Sequence, residues 1–380
     1  MTPPGVEGIT ARELSGLGIT PDAPIPGGVG FGATHEALYA ANLMLRTANR
    51  VLVRLAEFPA RAFYELERKA KRVPWGLVLG PGDPAVFRVT SRKSKLYHLD
   101  GIAERLASSC GGSRERESTD YTDDVDSPAA STDSGATGGF AQLFVVRVWR
   151  DVVTISADSS GELLHRRGYR QALGKAPLRE TLAAAMLLAA EYDGTGPLVD
   201  PFCGSGTIPI EGALIARGIP PGIHRRFAFE HWPGFEPALW DSVRAAGRAR
   251  MRDRAPAPIL GWDRDAGAVA AALSNAERAG VGADVALAQG AISGLMVPPG
   301  PGLIATNPPY GVRLGEAGDL RDLYARFGSV LRAECASWRV ALLSADRAHD
   351  AATGLGLVER WHSSNGGVKV RCSVADIPRS

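Results

Sequence analysis

The fold is decided by Pro197-Leu198-Val199-Asp200-Pro201-Phe202-Cys203-Gly204-Ser205-Gly206-Thr207, which predicts a short buried strand, a glycine-rich turn and the start of a helix. Further along the chain, strand-like and helix-like segments alternate, as in 258–263 followed by 266–278. This alternation is typical of a doubly wound, mostly parallel sheet. Because such sheets bind ligands outside the carboxyl ends of their strands, we expect the glycine turn to contact a ligand.

The residues of the turn favour a cationic cofactor over a nucleotide phosphate. A P-loop requires a lysine after its glycines, whereas Gly206 is followed by Thr207 and Ile208. A dinucleotide-binding turn requires a third small residue where this chain has Pro209. The carboxylate of Asp200 would repel a pyrophosphate but suits the ammonium and sulfonium groups of S-adenosylmethionine. We therefore predict S-adenosylmethionine as the cofactor.

The next strand of the predicted sheet ends in Gly261-Trp262-Asp263-Arg264-Asp265. A carboxylate at this position can accept hydrogen bonds from both ribose hydroxyls of the cofactor. Asp263 is the first choice for that role and Asp265 the second, because Asp265 also fits the N-cap of the following helix. An ordinary tight turn is the alternative interpretation of the glycines.

A second motif, Asn307-Pro308-Pro309-Tyr310, follows the apolar segment 303–306. We call it the NPPY turn. Its prolines fix the backbone and remove donors, so the loop can hold its shape without ladder hydrogen bonds. The side-chain oxygen of Asn307, the carbonyl of Pro308 and the ring of Tyr310 would then surround a planar group with an exocyclic amine. A rigid surface turn is the alternative, which the upstream glycine turn makes less favoured.

Composition narrows the classes of function. The chain has 380 residues with Lys+Arg 43 against Asp+Glu 41, so any nucleic-acid surface must be a local basic patch. Its four cysteines are far apart and show no metal-ligand spacing, which indicates reduced thiols and no metal. The sequence shows neither a signal peptide nor a long apolar run, so we expect a soluble protein of the cytoplasm.

The pattern along the chain predicts several domains. We expect a flexible N-terminal arm over 1–28, a small α/β unit over 29–80, an α+β unit over 81–160 and the sheet domain over 161–380. Segment 111–139 is rich in Ser, Thr, Asp and Gly, and we predict a disordered insertion there.

Several longer segments point to one family: Asn42-Leu43-Met44-Leu45-Arg46-Thr47-Ala48-Asn49-Arg50-Val51, Pro74-Trp75, Ser94-Lys95-Leu96-Tyr97-His98, His165-Arg166-Arg167-Gly168-Tyr169-Arg170 and Ala176-Pro177-Leu178-Arg179-Glu180. In these segments and in its two turns, the chain resembles the THUMP-domain RNA guanine-N2 methyltransferases. The last two segments are similar to those of the bacterial rRNA-modifying branch.

The resemblance implies a Rossmann-like class I methyltransferase domain preceded by a ferredoxin-like unit and an α+β THUMP domain that grips structured RNA. The substrate it implies is a guanine of rRNA, first of 23S rRNA, with tRNA second. A methyltransferase acting on protein glutamine or DNA adenine, and a non-catalytic RNA-binding protein, stay open as alternatives. The oligomeric state does not follow from the sequence.

The site residues fall into three groups. The predicted catalytic residues are Asn307, Pro308 and Tyr310. The predicted cofactor-binding residues are Asp200, Phe202, Gly204, Gly206, Thr207, Asp263 and Pro177. The predicted RNA-binding residues are Arg92, Lys93, Lys95 and His98, in a basic loop that could also be a solvated loop with Tyr97 in the core.

Two positions depart from the family pattern. Family members commonly carry an acid where this chain has Ala291, and often carry one where it has Gly302 before the strand that leads to the NPPY turn. Both departures put the contacts to the cofactor adenine in question. Loss of catalysis is the less expected consequence, because the NPPY turn is intact.

Overall fold

The computed structural model describes residues 1–111, 140–170, 177–310 and 317–378, without the side chains of 317–319. The insertion predicted at 111–139 therefore lies outside the described residues, apart from Gly111. The chain divides into two compact units. The four-stranded unit comprises 49–164 and 226–241, and the seven-stranded unit comprises 1–48, 165–225 and 242–380.

The elements are numbered along the chain. The helices are α1 (Glu7–Gly16), α2 (His35–Met44), α3 (Phe63–Ala70), α4 (Leu99–Cys110), α5 (Glu180–Ala189), α6 (Thr207–Ala216), α7 (Pro237–Ala249), α8 (Ala266–Arg278), α9 (Ala317–Glu334) and α10 (Arg347–Ala352). The strands are β1 (Leu52–Pro59), β2 (Ala85–Arg92), β3 (Gln142–Trp149), β4 (Val152–Asp158), β5 (Leu198–Asp200), β6 (Ile259–Asp263), β7 (Val285–Gln289), β8 (Leu303–Thr306), β9 (Arg339–Ser344), β10 (Val358–Asn365) and β11 (Val368–Asp376).

The four-stranded unit is built on one sheet of order β1-β4-β3-β2, in which only β2 and β3 are parallel. Side chains alternate across β2, so that Phe87 and Val89 enter the core while Thr90 faces solvent. Leu66 of α3 and Ile102 of α4 are fully buried in the same core. Because β1 and α3 share this sheet and core with β2, the predicted boundary at residue 80 does not separate two units here.

The seven-stranded unit contains a sheet of order β10-β11-β9-β8-β5-β6-β7. Strands β5 to β9 run parallel, whereas β11 is antiparallel to β9 and to β10. The predicted mixed, mostly parallel sheet of a Rossmann-like fold is therefore confirmed. Since β5 lies between β8 and β6, the loops that follow these three strands meet at one edge of the sheet, where parallel α/β proteins bind their ligands.

The N-terminal segment is packed, contrary to the flexible arm predicted over 1–28. It contains α1, and Val6 and Leu14 are 0% and 1% exposed. The carboxylate of Glu13 accepts a hydrogen bond from the backbone N–H of Thr47 at 3.0 Å. The many glycines and prolines of the segment suggested flexibility. The side chains that anchor it are few, and they contact partners that are distant in the sequence.

One segment of the domain predicted over 161–380 belongs to the other unit. Residues 226–241 belong to the four-stranded unit, where the indole N–H of Trp232 donates a 2.7 Å hydrogen bond to the side-chain oxygen of Gln142. No local pattern predicts this return, because the residues that contact the segment are distant in the sequence.

Two further observations concern the cysteines and the apolar character of the helices. The cysteines Cys110, Cys203, Cys335 and Cys372 are all free. Within the described ranges, none of the helices combines the length and the apolar character needed to cross a membrane.

Candidate active site

The glycine turn after β5 uses its two glycines for different reasons. Gly206 has φ +84°, and a Cβ there would lie 2.9 Å from the Cβ of Ala272, so close packing of α8 on the turn excludes a side chain. Gly204 has φ +51°, yet a Cβ there would meet nothing within 4 Å. The backbone at Gly204 therefore faces open space that a ligand can approach closely.

The carboxylate of Asp200 lies at the end of β5 and is 1% exposed. Its Oδ1 accepts hydrogen bonds from the backbone N–H of Phe202 at 3.1 Å and from the hydroxyl of Thr306 at 2.6 Å. Burial, together with the neighbouring charge of Asp263, raises the pKa of Asp200 to about 7 against the opposing effect of the two hydrogen bonds. A cationic ligand would restore the charged form, which makes this a fitting position for an ammonium or sulfonium group.

Asp263 ends β6 beside the glycine turn. Its Oδ2 accepts a 2.9 Å hydrogen bond from the backbone N–H of Gly204, and its Oδ1 accepts one of 2.9 Å from Asp265. Each carboxylate oxygen can accept a second bond, so the group can still receive two hydroxyl donors. Asp265 instead caps α8 by accepting from the N–H groups of Gly267 and Ala268 at 2.7 and 3.3 Å. The structure thus favours Asp263 as the ribose-binding candidate and confirms the capping interpretation of Asp265.

The NPPY turn begins directly after β8, one residue beyond the Thr306 hydroxyl that bonds to Asp200. The side-chain Oδ1 of Asn307 is buried and has no hydrogen-bond partner among the described residues. A buried acceptor without a partner carries a desolvation cost, which a ligand donor would remove. Pro308 is buried and Tyr310 half-buried, so the three predicted catalytic residues lie together at the carboxyl edge of the sheet.

Two side-chain amides lie near the phenol of Tyr310. Burial raises the pKa of Tyr310, and hydrogen bonds from Asn365 and Asn307 partly offset that rise. Both amides therefore present their nitrogen to the phenol oxygen. The carbonyl oxygen of Asn307 is then directed away from the phenol, which agrees with its having no partner among the described residues.

Asn365 is a functional candidate that the sequence analysis missed. It is 3% exposed, ends β10, and accepts a 3.3 Å hydrogen bond from the backbone N–H of Arg179 through Oδ1. Its amide nitrogen is thereby left to donate to Tyr310. No local signal in the sequence connects Asn365 with the NPPY turn, because the two lie more than fifty residues apart.

Helix α9 supports both loops of the site from one side. The hydroxyl of its Tyr324 lies 3.5 Å from the carbonyl oxygen of Pro309, and the Tyr324 ring stacks on His349 at 4.9 Å between centroids. The ring of Phe327, one turn further along, meets Phe202 edge-on at 5.9 Å. The glycine turn and the NPPY turn are therefore fixed against the same helix.

Two predicted cofactor residues are connected through one arginine. The guanidinium of Arg170 donates to the hydroxyl of Thr207 at 2.6 Å and to the carbonyl of Leu178 at 3.0 Å. It also lies 3.5 Å from the carboxylate of Glu180. Arg170 thus joins the first residue of α6 to the segment that contains Pro177, and the hydroxyl of Thr207 is engaged by protein before any ligand binds.

A buried ion pair explains the segment His165 to Arg170, which the sequence analysis related only to family resemblance. Arg167 lies 3.5 Å from Glu211 of α6, and their side chains are 3% and 0% exposed. The hydroxyl of Tyr169 donates to the same carboxylate at 3.2 Å, and the carbonyl of Tyr169 accepts from Arg278 at 2.7 Å. These contacts tie the segment to the helix that follows the glycine turn.

The predicted RNA-binding residues lie in the other unit. Arg92, Lys93, Lys95 and His98 are all exposed and belong to the four-stranded unit. Tyr97 is 76% exposed, whereas the adjacent Leu96 is 3% exposed. The alternative interpretation that placed Tyr97 in the core is therefore wrong, because Leu96 occupies the core position of this loop.

The two departures from the family pattern have different structural meanings. A Cβ on Gly302 would lie 2.6 Å from the ring of Trp338, so this packing excludes any side chain there. Gly302 precedes β8 and so lies at the amino edge of the sheet, about 16 Å from Asn307 at ~3.3 Å per residue. A residue at the amino edge cannot contact the adenine. The expectation that Gly302 affects the adenine contacts is therefore wrong. Ala291 is exposed at the carboxyl edge of the sheet.

Comparisons with known proteins lead to the same kind of domain. The family described as "RMKL-like, methyltransferase domain" matches residues 167–373, which is more than half of the chain. The family described as "RlmL ferredoxin-like domain" matches residues 1–52. That second match begins at the first residue, in agreement with the packed N-terminal segment and not with a unit beginning at residue 29.

Individual relatives cover the chain along almost its whole length. It is 35% identical over 99% of its length to the ribosomal RNA large subunit methyltransferase K/L of Methylococcus capsulatus, and it spans 50% of that relative. It is 33% identical to a putative RNA methyltransferase of Synechocystis, with 96% of the chain and 92% of the relative covered. The crystal structure of SMU.472, a putative methyltransferase complexed with SAH, matches with a TM-score of 0.84 at 29% identity and covers 100% of this chain and 97% of its own.

Proposed function

Because this chain belongs to the RMKL-like methyltransferase-domain family, we propose that it transfers the methyl group of S-adenosylmethionine to the exocyclic N2 amine of a guanine in ribosomal RNA. The large subunit RNA is the proposed substrate, since the K/L relatives are named for it. The chain spans about half the length of those relatives, so it corresponds to one part of them.

One observation carries the proposal. The Oδ1 of Asn307, which has no hydrogen-bond partner among the described residues, lies directly beyond Thr306, whose hydroxyl bonds to the buried carboxylate of Asp200. An acceptor for an amine and an anion for a cationic cofactor therefore stand at the ends of adjacent strands. This is the arrangement that a methyl transfer from a sulfonium to an amine requires, because both reactants must be held within about 3–3.5 Å of each other.

The cofactor-binding part of the site would consist of Asp200, Gly204 and Asp263. Asp200 supplies negative charge for the cationic end of the cofactor, and Asp263 has acceptor capacity for the ribose hydroxyls. The open space at Gly204 lets the backbone approach the ligand. When bound there, S-adenosylmethionine supplies an electrophilic methyl group.

The substrate-binding part would act by orientation. The N2 lone pair of guanine is delocalised into the ring, so the amine must be turned toward the methyl group and stabilised as it becomes tetrahedral. The Oδ1 of Asn307 and the carbonyl of Pro308 accept the two amine N–H bonds, and Tyr310 stacks on the base. A base paired in a helix must be flipped out to reach this position. Fixed dipoles supply the stabilisation, and the proton leaves after transfer, when the ammonium is acidic.

The four-stranded unit would bind the RNA through its own surface. Its loop presents Arg92, Lys93, Lys95 and His98 to solvent, and residues 81–160 resemble a THUMP domain. Four free cysteines fit a reducing compartment, so we place the reaction in the cytoplasm.

The proposal is tested by offering the purified chain four substrates with methyl-labelled S-adenosylmethionine: unmodified 23S rRNA, unmodified tRNA, single-stranded DNA and a glutamine-containing peptide. Mass spectrometry of the digested product should identify N2-methylguanosine from 23S rRNA. If the label appeared in adenine, in the peptide or only in tRNA, the proposed substrate would be wrong and the labelled one would take its place. If none of the four substrates became labelled, the proposal that this chain transfers a methyl group would be wrong.

A further inference from the structure

Three cations surround one indole ring in the four-stranded unit. The amine of Lys93 lies 5.6 Å from the ring centre of Trp149, and the guanidinium carbons of Arg147 and Arg150 lie 5.5 and 5.8 Å from it. We call these four residues the tryptophan cluster. Among the described residues no carboxylate pairs with any of the three cations, and all three are exposed. Three positive charges are therefore held together by an aromatic ring and remain available to an anionic partner.

The topology of the sheet concentrates other groups at the same edge. Trp149 ends β3 and pairs with Arg92 at the end of β2, while Pro59 at the end of β1 pairs with Val152 at the start of β4. Helices α3 and α4 follow β1 and β2, so both begin at this edge and direct their N-terminal dipoles toward it. The edge is thus electropositive through both its side chains and its backbone.

The loops of this edge are fixed in place by one aspartate. The carboxylate of Asp151 accepts a 2.8 Å hydrogen bond from the backbone N–H of Lys95 and pairs with Arg61 at 3.2 Å. The backbone N–H of Asp151 donates to the hydroxyl of Ser94 at 3.0 Å. The turn after β3 is therefore tied to the basic loop after β2, and the tryptophan cluster has a defined shape before any partner binds.

The backbone of the cluster is strained at two of its cations. Lys93 has φ 53° and Arg150 has φ 50°, in the left-handed region that turns usually fill with glycine or asparagine. A glycine would adopt either conformation without strain but would place no charge there. Strained residues of this kind concentrate where a side chain must be presented to a ligand, which points to a binding role for both cations.

An exposed aromatic ring completes the edge. Tyr97 is 76% exposed and follows Lys95 in the loop that Asp151 fixes. An exposed phenol ring beside fixed cations is the combination with which proteins bind unpaired nucleotides, whose bases stack while the cations hold the phosphates. A base-paired helix could use the cations, but its stacked bases would leave the Tyr97 ring without a partner.

We propose that this edge of the four-stranded unit binds an unpaired stretch of the RNA substrate, with the tryptophan cluster on consecutive phosphates and Tyr97 stacked on a base. The inference rests on the proposed function for its choice of RNA as the partner. It adds Arg147, Trp149 and Arg150 to the predicted RNA contacts. It also specifies that the unit recognises unpaired RNA and not a duplex.

The test measures binding of a fluorescent 12-nucleotide single-stranded RNA and of a 12-base-pair RNA duplex over a range of salt concentrations. Wild type should bind the single strand more tightly. The variant Lys93→Gln/Arg147→Gln/Arg150→Gln should reduce the slope of log affinity against log salt by about 2, since each single-strand phosphate contact contributes about 0.7. Tyr97→Ala should weaken single-strand binding roughly tenfold, and Tyr97→Phe should not.

The matched control is Arg68→Gln/Lys71→Gln/Arg72→Gln, which removes three exposed charges from the last turn of α3 and the residues after it, away from the edge. It should leave the salt slope near that of wild type. Cofactor affinity and thermal unfolding of every variant show whether the protein remains folded. Equal slopes for the two triple variants, or tighter binding of the duplex, would overturn the inference while leaving methyl transfer to guanine intact. A wild type that binds neither RNA would also overturn the inference, and labelling of 23S rRNA would then decide the proposed function separately.

Discussion

The hydroxyl of Thr306 donates a 2.6 Å hydrogen bond to the carboxylate of Asp200, across the boundary between two parallel strands. Asp200 ends β5 and Thr306 ends β8, so this bond joins the glycine turn to the NPPY turn at their bases. The cofactor-binding and substrate-binding parts of the site are therefore mechanically coupled through two buried side chains, which are 1% and 0% exposed.

Cofactor affinity should depend on pH through Asp200. Burial raises the pKa of this carboxyl to about 7, and only its charged form attracts a cation. Affinity should therefore be lost as the pH falls through 7, and be about tenfold weaker at pH 6 than at pH 8, following the charged fraction. Calorimetric titration of S-adenosylmethionine into wild type and Asp200→Asn measures this. The variant should bind weakly at both pH values, and the same pH dependence in the variant would assign the titration to another group.

Removing the side chain of Asn365 should slow methyl transfer without weakening cofactor binding. This residue donates to the phenol of Tyr310 while accepting from the backbone of Arg179. Asn365→Ala should reduce kcat by about 10- to 100-fold through loss of orientation of the ring. Asn365→Asp keeps the acceptor for Arg179 and loses the donor, so it separates the two contacts. If it turned over like wild type, the contact to Tyr310 would have no role.

The buried pair of Arg167 and Glu211 should contribute more to the stability of the seven-stranded unit than an exposed pair does. Glu211→Ala leaves a guanidinium that is 3% exposed without its charge partner, which should cost about 3–5 kcal/mol of unfolding free energy. Arg347→Ala in the same unit removes a pair whose arginine is 79% exposed, and should cost less than about 1 kcal/mol. Urea unfolding of both variants measures the difference. Equal costs would show that the buried pair contributes no more than a surface pair.

Gly302 should be required for packing and not for the cofactor. Gly302→Ala would place a methyl group against the ring of Trp338, and the overpacking should cost about 1–3 kcal/mol of stability. S-adenosylmethionine affinity of the folded variant should equal that of wild type. Gly204→Ala is the converse control, because it meets no atom yet alters the turn that faces the ligand. A loss of affinity in Gly302→Ala larger than in Gly204→Ala would contradict this division.

The sequence predicted the parallel sheet and the main site residues because their signals are local. A strand that ends in Asp200 before two glycines, and a turn with two consecutive prolines at Pro308, restrict the backbone whatever surrounds them. Asn365 and Glu211 were missed because their roles depend on partners far along the chain. The same is true of the N-terminal segment, where Glu13 anchors a helix that composition alone suggested would be flexible.

The most direct test of the account compares single-turnover methyl transfer to 23S rRNA by wild type and by Asn307→Ala, with the affinity for S-adenosylmethionine measured in parallel. Removing the Oδ1 acceptor of Asn307 should lower the rate by about 10²–10³-fold, the usual effect of losing one preorganised group, and leave cofactor affinity unchanged. A variant that forms N2-methylguanosine at the wild-type rate would contradict the claim that Asn307 holds the reacting amine.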